Sequence, residues 1–194
     1  EVHHKITGTI KFNMAIAIPC AVGLAVLADP IMALLFPSLG EYHDLAAHLL
    51  MAGSSAAVFY ALSTITTSIL QGTNHMAVPV LHSAAALAVH IAVIAAMLYA
   101  GCGVWALLVG NVVFPLIVCT LNCRSVSRLL RYRWNVASIF IVPLLCALVM
   151  GLVCRGVYAL LLHLTERMIP AFIAAFLIAV AVYALAILKS HCFS

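Results

Sequence analysis

The residues of this chain able to do chemistry are polar side chains set into apolar sequence. From Leu45 to Cys123 no Asp, Glu, Lys or Arg occurs, yet Tyr60, Ser63, Thr64, Thr67 and Gln71 recur there at spacings of three, four and seven. On a helix they share one face. Such a stripe lines an aqueous path if it faces a cavity; alternatively, its Ser and Thr are packing residues that bond the carbonyls of their own helix. His75 and His82 share a face farther along, with His90 turned away from them. Each is either a satisfied packing residue or a proton carrier, because the ordinary histidine pKa lies near neutrality.

Charges inside apolar runs are rarer. Asp29 precedes Pro30, and Arg155 interrupts a long apolar segment. A central charge costs roughly 2.5–3.5 kcal/mol on insertion scales, so each must snorkel, pair or face a cavity. For Arg155 the choice is between snorkelling or pairing and holding an anionic group such as a diphosphate. Pro19, Pro30, Pro115 and Pro143 permit kinks. Transporters use such kinks where they bind and bend, although proline is frequent in membrane helices generally.

No catalytic residue is expected, because phosphate-loop, dinucleotide, zinc-protease and nucleophile-elbow motifs are all missing. No cofactor and no metal are expected either. Cys119 and Cys123 stand one turn apart without a second pair nearby, and His3 and His4 are merely adjacent.

The elements that must position these residues follow from composition. The 194 residues are 66% hydrophobic and 7% charged, with a mean hydropathy of +1.24. That excludes a soluble enzyme, a disordered chain, collagen and a secreted disulfide scaffold. Seven cysteines are an odd number, and Cys20, Cys119, Cys146 and Cys154 lie in apolar runs, where thiols behave as small hydrophobes. Beginning Glu1-Val2-His3-His4-Lys5 without Met, the chain reads as a mature fragment of a longer polypeptide.

A helix needs about 20 apolar residues to cross roughly 30 Å of hydrocarbon. Six runs meet that length: Phe12 to Phe36, Leu45 to Leu70, Ala77 to Tyr99, Val104 to Cys123, Ala137 to Leu162 and Ile169 to Leu188. The expected architecture is an all-α integral membrane bundle, with four spans in 1–123, a basic amphipathic loop in 124–136, and two spans with a short tail in 137–194. Lys5, Lys11, Arg124, Arg128, Arg131, Arg133 and Lys189 fall on one face, whereas the other holds Glu41, Asp44, Glu166 and Arg167. The excess of Lys and Arg puts both termini in the cytoplasm. Within the basic loop Arg124, Arg128, Arg131, Arg133 and Trp134 read as interface anchors against lipid headgroups. With no aromatic platform or binding motif beside them, no nucleic-acid partner is expected.

The stretch from Phe12 to Phe36 with Pro19, Gly23 and Pro30, then Ile69-Leu-Gln71-Gly72-Thr-Asn74 and Pro79, and later Gly110-Asn111-Val-Val-Phe114 and Leu121-Asn122, resembles one branch of a transporter superfamily. It is the polysaccharide biosynthesis and stage V sporulation protein B-like branch of the multidrug/oligosaccharidyl-lipid/polysaccharide exporters. The resemblance implies half of a two-lobed flippase fold in a bacterial plasma membrane, with these six spans as the last six and the amino-terminal lobe of the same polypeptide as partner. It also implies a lipid-linked oligosaccharide, polysaccharide or peptidoglycan precursor as substrate, moved by alternating access. The cavity-lining candidates are Ser63, Thr67, Gln71, Asn74, Asn111 and Arg155, of which Gln71, Asn74 and Asn111 match the family pattern. Two other classes remain open: a cation-coupled drug or metabolite exporter, which needs an acidic coupling site, and a membrane scaffold without transport.

Overall fold

The structure, a computed structural model, describes residues 2–189; Glu1 and the expected tail at 190–194 lie outside the described residues. All regular structure among them is helical: α1 (Val2–Val26), α2 (Ala28–Leu35), a 3-10 turn (Gly40–Tyr42), α3 (His43–Gly72), α4 (Ala77–Tyr99), α5 (Val104–Leu129), a π-helical turn (Ala137–Ile141), α6 (Val142–Thr165) and α7 (Met168–Lys189). Six helical stretches are long and apolar enough to cross a membrane: His3–Val26, Gly40–Gly72, Ala77–Tyr99, Val104–Leu129, Ala137–Thr165 and Met168–Lys189. The chain is an all-α multi-pass membrane protein. Leu81, Leu87, Ile91 and Leu98 lie exposed along α4, a surface that hydrocarbon accepts and water does not.

The helix boundaries differ from the hydropathy runs where backbone chemistry intervenes. The first span begins ten residues earlier than its apolar run, because the backbone ladder of α1 runs on through polar sequence, where the Thr7 and Thr9 hydroxyls fold back onto the carbonyls of His3 and Lys5. It ends at Leu27, where φ is −101° and ψ is 16°. Pro30 has no N–H for the Val26 carbonyl, so the ladder breaks and α2 starts with the proline in its first turn. Pro143 acts similarly. It cannot donate to the carbonyl four residues back, and the Val142 N–H bonds Ala137, five residues back, to make the π turn. The expected loop at 124–136 is helical in its first part, since α5 continues through Arg124 and Arg128.

Two hairpins close with the same cap. After α3, Asn74 takes φ 64° while His75 N–H bonds Leu70 and Asn74 N–H bonds Gln71. After α4, Gly101 takes φ 78° with Cys102 N–H on Met97 and Gly101 N–H on Leu98. Both are Schellman closures, which need a left-handed residue just past the helix.

The chain divides into two compact units, Glu1–Met14 with Ser55–Asn135, and Ala15–Ser54 with Val136–Ser194. In the first, Ile10, Met14, Leu70 and Val126 are fully buried. Gly110 of α5 meets α4 so closely that a Cβ there would stand 2.7 Å from the Ile94 side chain. In the second, Leu27, Met150, Cys154, Ala175 and Ala179 form a buried cluster, and the Tyr183 hydroxyl donates to the Ala15 carbonyl at 2.7 Å.

Candidate functional site

In the first unit Asn122 of α5 is completely buried and ties three helices together. Its Nδ2 donates to Thr67 Oγ1 at 2.9 Å and to the Ser63 carbonyl at 3.4 Å, both on α3. A carbonyl can only accept, which fixes the amide with Oδ1 toward α4. There His82 Nδ1 lies 2.8 Å away, so this nitrogen carries the proton and donates. Buried amides in apolar surroundings need every such partner.

A second polar contact joins the same helices about three turns along α5. The Tyr60 hydroxyl donates to Asn111 Oδ1 at 3.1 Å, and His90 Nδ1 donates to the Gly110 carbonyl at 2.8 Å. Phe114 lies between, edge-on to His90 with centroids 5.8 Å apart. Unlike Asn122, Tyr60 and Asn111 are exposed. The exposed line continues along α3 through Thr64, Ser68 and Gln71. Thr64 and Ser68 donate to the Tyr60 and Thr64 carbonyls.

The second unit holds a cluster at the start of α2 and α3. His43 Nε2 donates to Asp29 Oδ1 at 2.9 Å, and ligand-type atoms of Asp29, His43 and Asp44 all lie within 4.8 Å of one another. His48 Nδ1 donates to the Asp44 carbonyl at 2.6 Å. Asp29, Asp44 and His48 share a cavity of about 130 Å³ with Arg155 of α6. Asp29 sits in the first turn of α2 and Asp44 in that of α3, where helix dipoles favour carboxylates. Two carboxylates against one guanidinium leave the lining net negative, so a diphosphate would be repelled there while a cation would not. Binding an ion at about 2.1 Å per ligand would require the three donors to draw together.

The sequence candidates therefore fall into three groups. Ser63 is buried and bonds the Tyr60 carbonyl, and Thr67 is half-buried against Asn122. Gln71 and Asn111 are exposed on the first unit, while Asn74 serves as the left-handed cap after α3. Arg155 belongs to the acidic cavity of the second unit. Arg124, Arg128, Arg131 and Arg133 are exposed, but the Trp134 indole N–H turns inward and donates to Ser127 Oγ at 2.7 Å. Sequence reasoning did not single out Asn122 as a site residue, nor the gathering of His43, Asp44 and His48 around Asp29. An amide within an apolar run, outside any turn, was the available signal for Asn122. The second grouping had none, because its members come from separate elements.

Compared with known families, curated proteins and solved structures, the chain matches none. Its class rests on its own six apolar helices, those of a multi-pass membrane protein.

Proposed function

We propose that the chain is the carboxy-terminal lobe of an alternating-access translocase for a lipid-linked oligosaccharide, polysaccharide or peptidoglycan precursor. It would sit in a bacterial plasma membrane with both termini cytoplasmic, its amino-terminal lobe supplied by the same polypeptide. The observation that carries this reading is the exposed polar line of Tyr60, Thr64, Ser68 and Gln71 with Asn111. Asn111 lies about 10 Å along α5 from Val104, at membrane depth, and its amide N–H groups have no partner among the described residues. Lipid offers such donors nothing to bond, whereas water or sugar hydroxyls would accept from them. The kind of cargo rests on the sequence resemblance. Translocation of a fluorescent lipid-linked glycan by the full polypeptide in proteoliposomes tests it. Replacing Asn111 by Leu and Gln71 by Leu together should slow translocation about tenfold, equivalent to ~1.4 kcal/mol of barrier. Unchanged rates would remove these residues from the path, and no glycan movement by the intact polypeptide would remove the function.

The acidic cavity favours a second reading, a cation-coupled exporter, because it gathers Asp29 and Asp44 where a coupling ion would need them. Transport of a small organic substrate that depends on a sodium or proton gradient and is lost in both Asp29→Asn and Asp44→Asn would select this reading over the first.

A further inference from the structure

We propose that the Arg124, Arg128, Arg131 and Arg133 end of the first unit is a binding surface for the phosphates of anionic lipid headgroups, whatever the cargo. The depth argument comes first. From Val104, Arg124 lies about 30 Å along α5 and Arg128 about 36 Å. A hydrocarbon core of about 30 Å would thus end near Arg124 and leave Arg128 in the headgroup layer, which is several ångströms thick.

The segment that follows is held in one shape by bonds that use none of these guanidiniums. His3 Nε2 donates to the Leu130 carbonyl at 2.9 Å. The Thr7 hydroxyl spends its proton on the His3 carbonyl, so the Tyr132 hydroxyl, 3.0 Å away, donates to it. Trp134 is fixed on Ser127 and stands edge-on to Tyr132 at 5.1 Å. Arg131 is kept left-handed at φ 51°, a conformation unfavourable for a residue with a Cβ.

All four arginines are exposed, and none has an ion-pair partner among the described residues. Among its described residues the first unit contains no Asp or Glu, in 2–14 or in 55–135, so none of these side chains neutralises the patch. Exposed Leu129 of the same unit flanks it and can rest on acyl chains while the guanidiniums engage phosphate. An uncompensated set of forks carried on an ordered segment, beside an apolar side chain, suits a lipid headgroup better than a soluble anion, which would gain nothing from the apolar flank.

The chain has two tryptophans, so Trp105→Phe leaves Trp134 as the sole reporter. In bilayers of phosphatidylcholine and phosphatidylglycerol with one lipid brominated, quenching of Trp134 gives the relative association of each lipid. Phosphatidylglycerol should be preferred, and the preference should fall about fivefold for each guanidinium removed, through Arg128→Gln, Arg131→Gln and the fourfold variant. Equal association in the unsubstituted patch, or a preference that survives loss of all four arginines, overturns the proposal. Inorganic phosphate at matched ionic strength should compete no better than chloride; stronger displacement would identify a soluble phosphate as the ligand and overturn the lipid assignment. Because Arg128 is exposed and unpaired, its single variant keeps the test meaningful should the fourfold variant misfold.

Discussion

Asn122→Ala should uncouple three helices at one stroke. The side chain makes hydrogen bonds of 2.8 and 2.9 Å to His82 and Thr67, and a marginal one of 3.4 Å to the Ser63 carbonyl. Interhelical bonds in membranes average about 0.6 kcal/mol with a maximum near 1.7, so the two short bonds account for about 1 kcal/mol. Thr67 recovers part of its loss, since its hydroxyl can turn back to a carbonyl of its own helix. His82 has no such recourse. Its Nδ1 proton is left facing the vacated amide site, which costs a further 1–3 kcal/mol where the group is desolvated. The expected destabilisation is about 2–3 kcal/mol, read by steric trapping in bicelles. In a double-mutant cycle His82→Ala with Asn122→Ala should show a coupling of about 1 kcal/mol, because the second substitution removes the stranded donor. A single-variant loss below about 0.5 kcal/mol, or strict additivity, would refute the network as a structural tie.

Gly110→Val should destabilise the contact of α4 with α5 by about 1–3 kcal/mol, since even its Cβ would meet Ile94 at 2.7 Å; the same trapping assay measures it. Tyr158→Phe should leave stability unchanged or raise it by up to about 1 kcal/mol, because the buried Tyr158 hydroxyl has no hydrogen-bond partner among the described residues. Asp29→Asn should change stability by less than about 1 kcal/mol, as its bond to His43 lies at an exposed site; a larger loss in thermal unfolding would show that the acidic cluster holds α2 in place.

Uniformly apolar helices were plain in the sequence. The run from Ala77 to Tyr99 coincides with α4, and the last run falls within one residue of α7 at each end. There the polar breaks are also the helix ends. Hydropathy failed where a helix outlasts its apolar run, as at Thr7, Thr9, Arg124 and Arg128, because backbone hydrogen bonding does not stop at the hydrocarbon boundary. It also could not show the π turn before Pro143, a consequence of one missing N–H. For the candidate site, the α3 stripe was visible but its division was not. Of its members Tyr60, Thr64 and Gln71 are exposed while Ser63 packs inside, and the exposed line takes in Ser68, which the stripe did not include; only the positions of α4 and α5 decide which polar residues are covered. Asn122 finds partners 40 to 59 residues away, beyond the reach of any local pattern.

Cysteines introduced singly as Thr64→Cys, Ser68→Cys and Gln71→Cys in the full-length polypeptide, with native cysteines replaced, decide whether the exposed line of α3 meets water. A membrane-impermeant thiol reagent should label all three, while Thr66→Cys, at a fully buried position, and Leu87→Cys, on the apolar outside of α4, stay unlabelled. If positions 64 and 68 prove as unreactive as position 87, α3 faces lipid there and the translocation path does not run along it.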